Sequence, residues 1–242
     1  MFIRDANAIA ERLIAEMAPF CLQVEIAGSI RRRCQVVKDI EIVAVAKWEP
    51  APVEEQALDL FGTPPDPPED LNLLHVWAMT QATRAGVRWI KTGTKEIVDW
   101  QPKPRGKYWR ALVGTDSDAI KLDLFIAHPD NYGLIKLIRT GAKEFSSGVL
   151  YHAKRNTPYQ TESSYFEQHK IKGRGEPEAY LVESARWGRR IATTEERDVF
   201  DLLSLDYVEP SGRTGFHDLK KEGRTVFADN YRMAGMSARG SR

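Results

Sequence analysis

Apolar and polar positions alternate through Asp39-Ile40-Glu41-Ile42 and then merge into an unbroken apolar run to Ala46. That pattern predicts a half-buried strand, with Asp39 and Glu41 on one face because the strand period is two. Upstream, Ala8, Ile9, Leu13, Ile14 and Met17 recur at helical spacing, which predicts a helix over 4–18 that Pro19 stops. VEIAG (24–28) predicts a short strand, and Gly28-Ser29 a turn out of it. Helical periodicity returns over 71–86 and ends at Gly86. Strands are expected at 87–93, 94–100, 108–114 and 119–127, with turns at Gly93, Pro102–Gly106 and Asp116–Ser117. The N-terminal half therefore reads as a mixed sheet with flanking helices, in an α+β chain.

After residue 130 the texture changes. The chain runs through NYGLIKLIRTG, SSGVLYHAKRN, a polar stretch and TTEERDVFDLLSL, where Thr193 or Thr194 with Glu195 and Glu196 resembles a helix N-terminal cap with a charged first turn. The segments are 1–130, 131–214 and a basic, loose tail over 215–242. Residues 48–70 are acidic and proline-rich, which predicts a loop.

Charge sharpens the division. The chain of 242 residues has a formal net charge of +1, yet residues 48–75 hold seven acids and no Lys or Arg. Residues 131–190 hold eleven Lys/Arg against six Asp/Glu, and residues 212–242 seven against three. A basic C-terminal half suits a polyanionic partner. No apolar run approaches the ~20 residues that span a bilayer. Two cysteines, Cys21 and Cys34, form neither zinc spacing nor a disulfide framework, so a reducing, cytoplasmic location is expected. His75, His128, His169 and His217 show no metal spacing. Trp77, Trp89, Trp100, Trp109 and Trp187 are expected in the core or between subdomains.

The candidate chemistry lies in AGSIRRRCQVVKDIEIV (27–43) and KLDLFIA (121–127). A carboxylate at Asp123 among Leu, Leu, Phe and Ile requires a reason, because a buried unpaired charge is costly. A salt bridge to Lys121 or an arginine is one. Joining Asp39 and Glu41 as a hard all-oxygen site for Mg²⁺ is another. Two such ions about 3.5–4 Å apart clamp an in-line phosphoryl displacement. The Gly28-Ser29 turn and Arg32 would then meet the phosphates, by exposed backbone N–H groups, a hydroxyl and a guanidinium fork.

These motifs resemble those of family X DNA polymerases, the DNA polymerase beta group of the nucleotidyltransferase superfamily. The family's Gly-Ser-x-Arg-Arg, followed ten residues after the serine by Asp-x-Asp, is matched by GSIRRRCQVVKDIE. Its third aspartate is matched by Asp123, its Thr-Gly by Thr140-Gly141, and KTGTKEIV (91–98), SSGVLYHAKRN and TEERDVFDLLSLDYVEPSGR are similar to further family segments. The likeness covers roughly residues 8–214. It implies a minimal form: a nucleotidyltransferase palm plus a smaller C-terminal α/β subdomain. It also implies a monomer that fills short gaps in DNA from nucleoside triphosphates.

On this resemblance, Asp39, Glu41 and Asp123 would be catalytic and hold two Mg²⁺, for which Mn²⁺ can substitute. Gly28, Ser29, Arg32 and Lys38 would hold the triphosphate. Arg139, Thr140, Gly141 and Ser146 would lie against the incoming nucleotide, on an unusual backbone at the Thr-Gly turn. His152 matches a family histidine on a helix lining the new base pair. The chain departs from the family at Glu41, where an aspartate is usual, at Ile138 and Arg139, where two aromatics are usual, and at Ser146 and Leu150, at base-contacting positions. A template-independent or RNA-directed nucleotidyltransferase, and a non-catalytic nucleic-acid-binding module, are the alternatives.

Overall fold

The computed structural model describes residues 1–50, 70–84, 86–91, 99–115, 118–170, 179–185 and 188–227. The expected strand at 94–100, the turns at Gly93 and Asp116–Ser117, most of the acidic loop and Trp187 fall wholly or largely outside them.

The chain opens with helix α1 (Ile3–Met17), whose buried Ala6, Ala10, Leu13 and Met17 form one stripe at helical spacing. A 3₁₀ turn at Ala18–Phe20 contains Pro19 and delivers the chain into β1 (Cys21–Ile26). The strand thus starts three residues earlier than its apolar pattern suggests. Gly28-Ser29 is the start of a one-turn helix, α2 (Gly28–Arg31), rather than a bare turn. Strand β2 (Asp39–Ala46) has the bounds that its pattern predicts.

A short pair, β3 (Trp48–Glu49) with β4 (Leu71–Asn72), precedes α3 (Leu73–Thr80), which Asn72 caps by accepting from the His75 backbone N–H at 3.0 Å. Then come β5 (Val87–Ile90), β6 (Tyr108–Val113) and β7 (Ile120–Ile126). The main sheet has the order β1-β2-β7-β6-β5. It is mixed: β2 and β7 run parallel, and the other neighbours run antiparallel.

The two faces of this sheet differ. One carries Ile40, Ile42, Leu122, Leu124, Trp109 and Ala111 into a core closed by α1 and α3 through Leu13, Met17, Leu74 and Trp77. Trp77, Trp89 and Trp109 meet edge to face inside it, as the core reading of these tryptophans anticipates. The other face carries residues 39, 41, 43 and 45 of β2 and 121, 123 and 125 of β7. Its later half, Val43, Val45 and Phe125, packs with Tyr132 of α4 (Tyr132–Thr140). Its earlier half carries the carboxylates.

The C-terminal part is built on a separate core. Helices α4, α5 (Lys143–Asn156) and α7 (Glu196–Leu202) bring together Leu134, Leu137, Phe145, Val149, Val199 and Phe200. Beside them lie β8 (Tyr159–Thr161), α6 (Glu162–Gln168), β9 (Leu181–Glu183) and β10 (Arg189–Ile191), the strands forming a sheet in the order β10-β9-β8. The cap of α7 is Glu195, not Thr193 or Thr194. Its backbone N–H donates to Asp198 at 2.8 Å, and the Thr194 hydroxyl donates to the same carboxylate at 3.0 Å. Residues 215–227 are not a loose tail: β11 (Lys220–Lys221) pairs with β12 (Arg224–Thr225), and Leu219 and Phe227 are buried in the C-terminal core. The remainder of the expected tail lies outside the described residues.

Candidate active site

Pairing between β2 and β7 sets Glu41 opposite Asp123 and Asp39 opposite Lys121. Paired residues of parallel strands share a face, so Asp39, Glu41 and Asp123 stand on one side of the sheet. The crowding is visible in the chemistry of Glu41. Burial, then the negative charges of Asp39 and Asp123, push its carboxyl from the ordinary 4.5 up to about 7, against a partial pull from Arg32 and Arg139. Both guanidiniums therefore lie within electrostatic reach of Glu41.

Glu41 also explains Gly28. The glycine sits at φ +61°, and a Cβ there would lie 1.9 Å from Oε2 of Glu41. Only a residue without a side chain lets the start of α2 close onto this carboxylate. The next residue, Ser29, has a buried hydroxyl oxygen with no hydrogen-bond partner. Such orphans are uncommon, and this one lies one residue from the carboxylate cradle.

Asp123 is 7% exposed and bonded by two neighbours. The Tyr108 hydroxyl donates to its Oδ1 at 2.6 Å, Arg110 Nε donates to Oδ1 at 2.7 Å, and Arg110 Nη2 donates to Oδ2 at 3.2 Å. Of the two salt bridges anticipated for it, the arginine is the one formed. Burial and then the bond to Asp123 push the Tyr108 hydroxyl upward, so it stays a proton donor. Among the described residues no three His, Cys, Asp or Glu side chains are gathered closely enough to hold a metal ion. Oδ2 of Asp123 accepts one bond, at 3.2 Å, and is the oxygen of this carboxylate with the most acceptor capacity left.

The remaining expected residues divide. Arg32 donates to the Thr140 carbonyl, and Arg139, exposed, lies 4.0 Å over the ring of Phe125; both stand beside Glu41. Lys38 instead lines a separate cleft of about 670 Å³ with Met1, Asp5 and Asp118. Thr140 is buried, and its hydroxyl accepts from Arg31 at 2.7 Å. Gly141 has ordinary extended backbone (φ −65°, ψ 157°), not an unusual one. Its lack of a side chain is needed for packing, since a Cβ would lie 2.8 Å from Ser146 Oγ and 2.9 Å from Phe145. Ser146 is buried, and its hydroxyl donates to the Ile138 carbonyl at 2.9 Å, so it closes the α4–α5 joint rather than facing a base. His152 is buried, with its ring nitrogens bonded to the Leu203 carbonyl and to Asn156.

The sequence reading missed three groups. Tyr108 and Arg110 were visible only as alternate positions of an expected strand; their register with Phe125 and Asp123 gives them their part. The third is an ion triad joining the two cores. Arg31 donates to both oxygens of Glu196 at 2.6 and 2.7 Å, and Arg213, 0% exposed at its side chain, donates to the same two at 2.8 and 3.2 Å. Burial alone would raise the Glu196 carboxyl, but the two guanidiniums hold it below the usual range. A second link runs from Tyr132 and Lys136 of α4 to Glu25, at 2.8 and 2.6 Å.

No protein-family model matches the chain, and no curated protein matches it in sequence.

Proposed function

We propose that the chain is a nucleotidyltransferase of the DNA polymerase β type, which transfers a nucleotide from a deoxynucleoside triphosphate to a DNA 3′-hydroxyl in short gaps. The observation that carries this reading is the pairing of Glu41 with Asp123, beside Asp39, on a face that Gly28 and Ser29 close. The residues fit a hard divalent cation on three grounds. The donor set is all carboxylate, burial and the crowding of Asp39 and Asp123 raise the Glu41 carboxyl as uncompensated negative charge does, and the buried Ser29 hydroxyl beside it has no partner.

Asp39, Glu41 and Asp123 would hold Mg²⁺, which when bound acidifies the attacking hydroxyl and neutralises the leaving pyrophosphate. Arg32 and Arg139, both within electrostatic reach of Glu41, supply positive charge for a triphosphate. The orphan hydroxyl of Ser29 is a donor matched to a phosphate oxygen.

A second reading, template-independent transfer, is favoured by one observation: the Ser146 hydroxyl is bonded to Ile138 and does not face a templated base pair. Extension of a labelled primer on gapped duplex and as a bare single strand, with Mg²⁺ or Mn²⁺, separates the two. Asp123→Ala is expected to reduce incorporation by more than about a hundred-fold, in the range lost when one transition-state stabiliser is removed. Full incorporation by that variant would refute the catalytic reading.

A further inference from the structure

Beside the carboxylates lies a cleft of about 470 Å³ that shares Tyr108 and Arg139 with the site above and extends past it to Trp48. Its volume falls in the roughly 300–1,000 Å³ range of ligand sites. Two cation–aromatic pairs line it in sequence. Near the carboxylates, Arg139 covers Phe125 at 4.0 Å, and Tyr108, which holds Asp123, stacks on the same Phe125 with centroids 5.0 Å apart. Farther out, beyond the start of β6, Arg105 lies 5.6 Å over Trp48. Trp48 is 42% exposed, unlike Trp77, Trp89 and Trp109 in the core. Lys107 adds a further cation, and among the described residues no Asp or Glu lines the cleft.

We infer that this cleft binds an unpaired stretch of nucleic acid next to the carboxylates. The inference rests on the nucleotidyl-transfer reading for the chemistry beside it. Its own support is the lining. Aromatic rings offer stacking platforms to bases of any sequence, and the cations match the phosphates between them. Trp48 offers the exposed ring, whereas Phe125, 8% exposed and covered by Arg139 and Tyr108, walls the inner end, where Arg139 is placed for a phosphate. An intact duplex is a poor match, because its bases are already stacked on one another and offer Trp48 no free face.

Fluorescence anisotropy with the full chain in EDTA, without nucleotide, tests this. The probes are a labelled oligothymidylate of about 12 nucleotides, the matching oligouridylate and a blunt duplex of equal length. A single strand is expected to bind at least about ten-fold tighter than the duplex at equal salt. Trp48→Ala is expected to weaken single-strand binding about ten-fold and leave duplex binding unchanged, and Trp48→Phe to restore it. Arg105→Gln is expected to flatten the salt dependence of single-strand binding. Equal single-strand affinity for wild type and Trp48→Ala, or duplex binding as tight and as sensitive to Trp48, would overturn the inference. If that happens while incorporation still needs Asp123, the cleft assignment alone falls. If single-strand binding behaves as expected while Asp123→Ala remains fully active, the nucleotidyl-transfer reading falls and the binding site stands.

Discussion

Arg110 and Asp123 face each other across β6 and β7 and are joined by two hydrogen bonds, so the carboxylate nearest the sheet centre is already neutralised by a neighbouring strand. The arrangement lets an acid sit at a buried strand position without an unpaired charge.

Removing the guanidinium should expose that balance. Arg110→Gln is expected to destabilise the metal-free protein by about 1 kcal/mol, a discounted figure because Arg110 is a third exposed at its side chain. That corresponds to about 2–4 °C in melting temperature for a chain of this size. Mg²⁺ should then raise the variant's melting temperature more than the wild type's, since Asp123 no longer shares its charge with a guanidinium. Thermal melts in EDTA and in millimolar Mg²⁺ read both effects, and an equal Mg²⁺ response in the two proteins would count against Asp123 as a ligand.

Glu41 gives a pH signature. The unfolded chain ionises this carboxyl near 4.5 and the folded chain near 7, so the folded state holds an extra proton between those values. Stability from that proton is complete below about pH 4.5 and is lost as pH rises through 7, by up to about 3 kcal/mol in all. Urea unfolding of wild type and Glu41→Gln between pH 5 and 8 should show the difference between them shifting in the variant's favour as pH rises. A difference that does not move with pH would show Glu41 to be unperturbed. Because a dication displaces the proton, the apparent Mg²⁺ affinity should rise over the same interval.

Gly28 should resist substitution for a reason that a second change can test. Gly28→Ala combines a left-handed backbone with a methyl group inside the Glu41 carboxylate, and a loss of more than about 1 kcal/mol is expected. Gly28→Ala in a Glu41→Ala background should be milder, the remainder being backbone alone. Identical losses in both backgrounds, measured by chemical denaturation, would mean that the two residues do not meet.

The Arg31–Glu196–Arg213 triad, which ties α2 to α7, should matter for stability as well as for the site. Glu196→Ala leaves Arg213 as a buried cation without its carboxylate, for which about 3–5 kcal/mol is expected. Glu25→Ala removes a half-exposed carboxylate from buried Lys136 and Tyr132, which water can partly replace, and should cost less than Glu196→Ala. Equilibrium unfolding of the two variants side by side decides it.

Residues close in sequence were the legible ones. The bounds of β2 follow from its alternation, and the shared face of Asp39 and Glu41 follows from the strand period. What β2 pairs with is not a local property: nothing in DIEIVAVA or KLDLFIA states that the two run parallel with Glu41 against Asp123. The same limit hid Arg110 and Tyr108, whose meaning comes from register with β7. Thr140, Gly141 and Ser146 read as nucleotide contacts because the family resemblance puts such contacts at their positions. How α4 meets α5 turns the three inward, to Arg31, Phe145 and the Ile138 carbonyl. Trp48 lay in an acidic, proline-rich neighbourhood that looked like loop, and its exposure beside Arg105 is a product of the fold.

The opposite faces of β2 tie foldability to chemistry. A slip of one position in its pairing with β7 would turn Ile40 and Ile42 outward and drive Asp39 and Glu41 into the hydrocarbon side, against Leu13 and Trp77. Mispaired chains are thus penalised twice, by exposed oil and by dehydrated anions. The acids that would do the work also act as an alignment key, and replacing both with apolar residues should loosen the discrimination between correct and shifted strands.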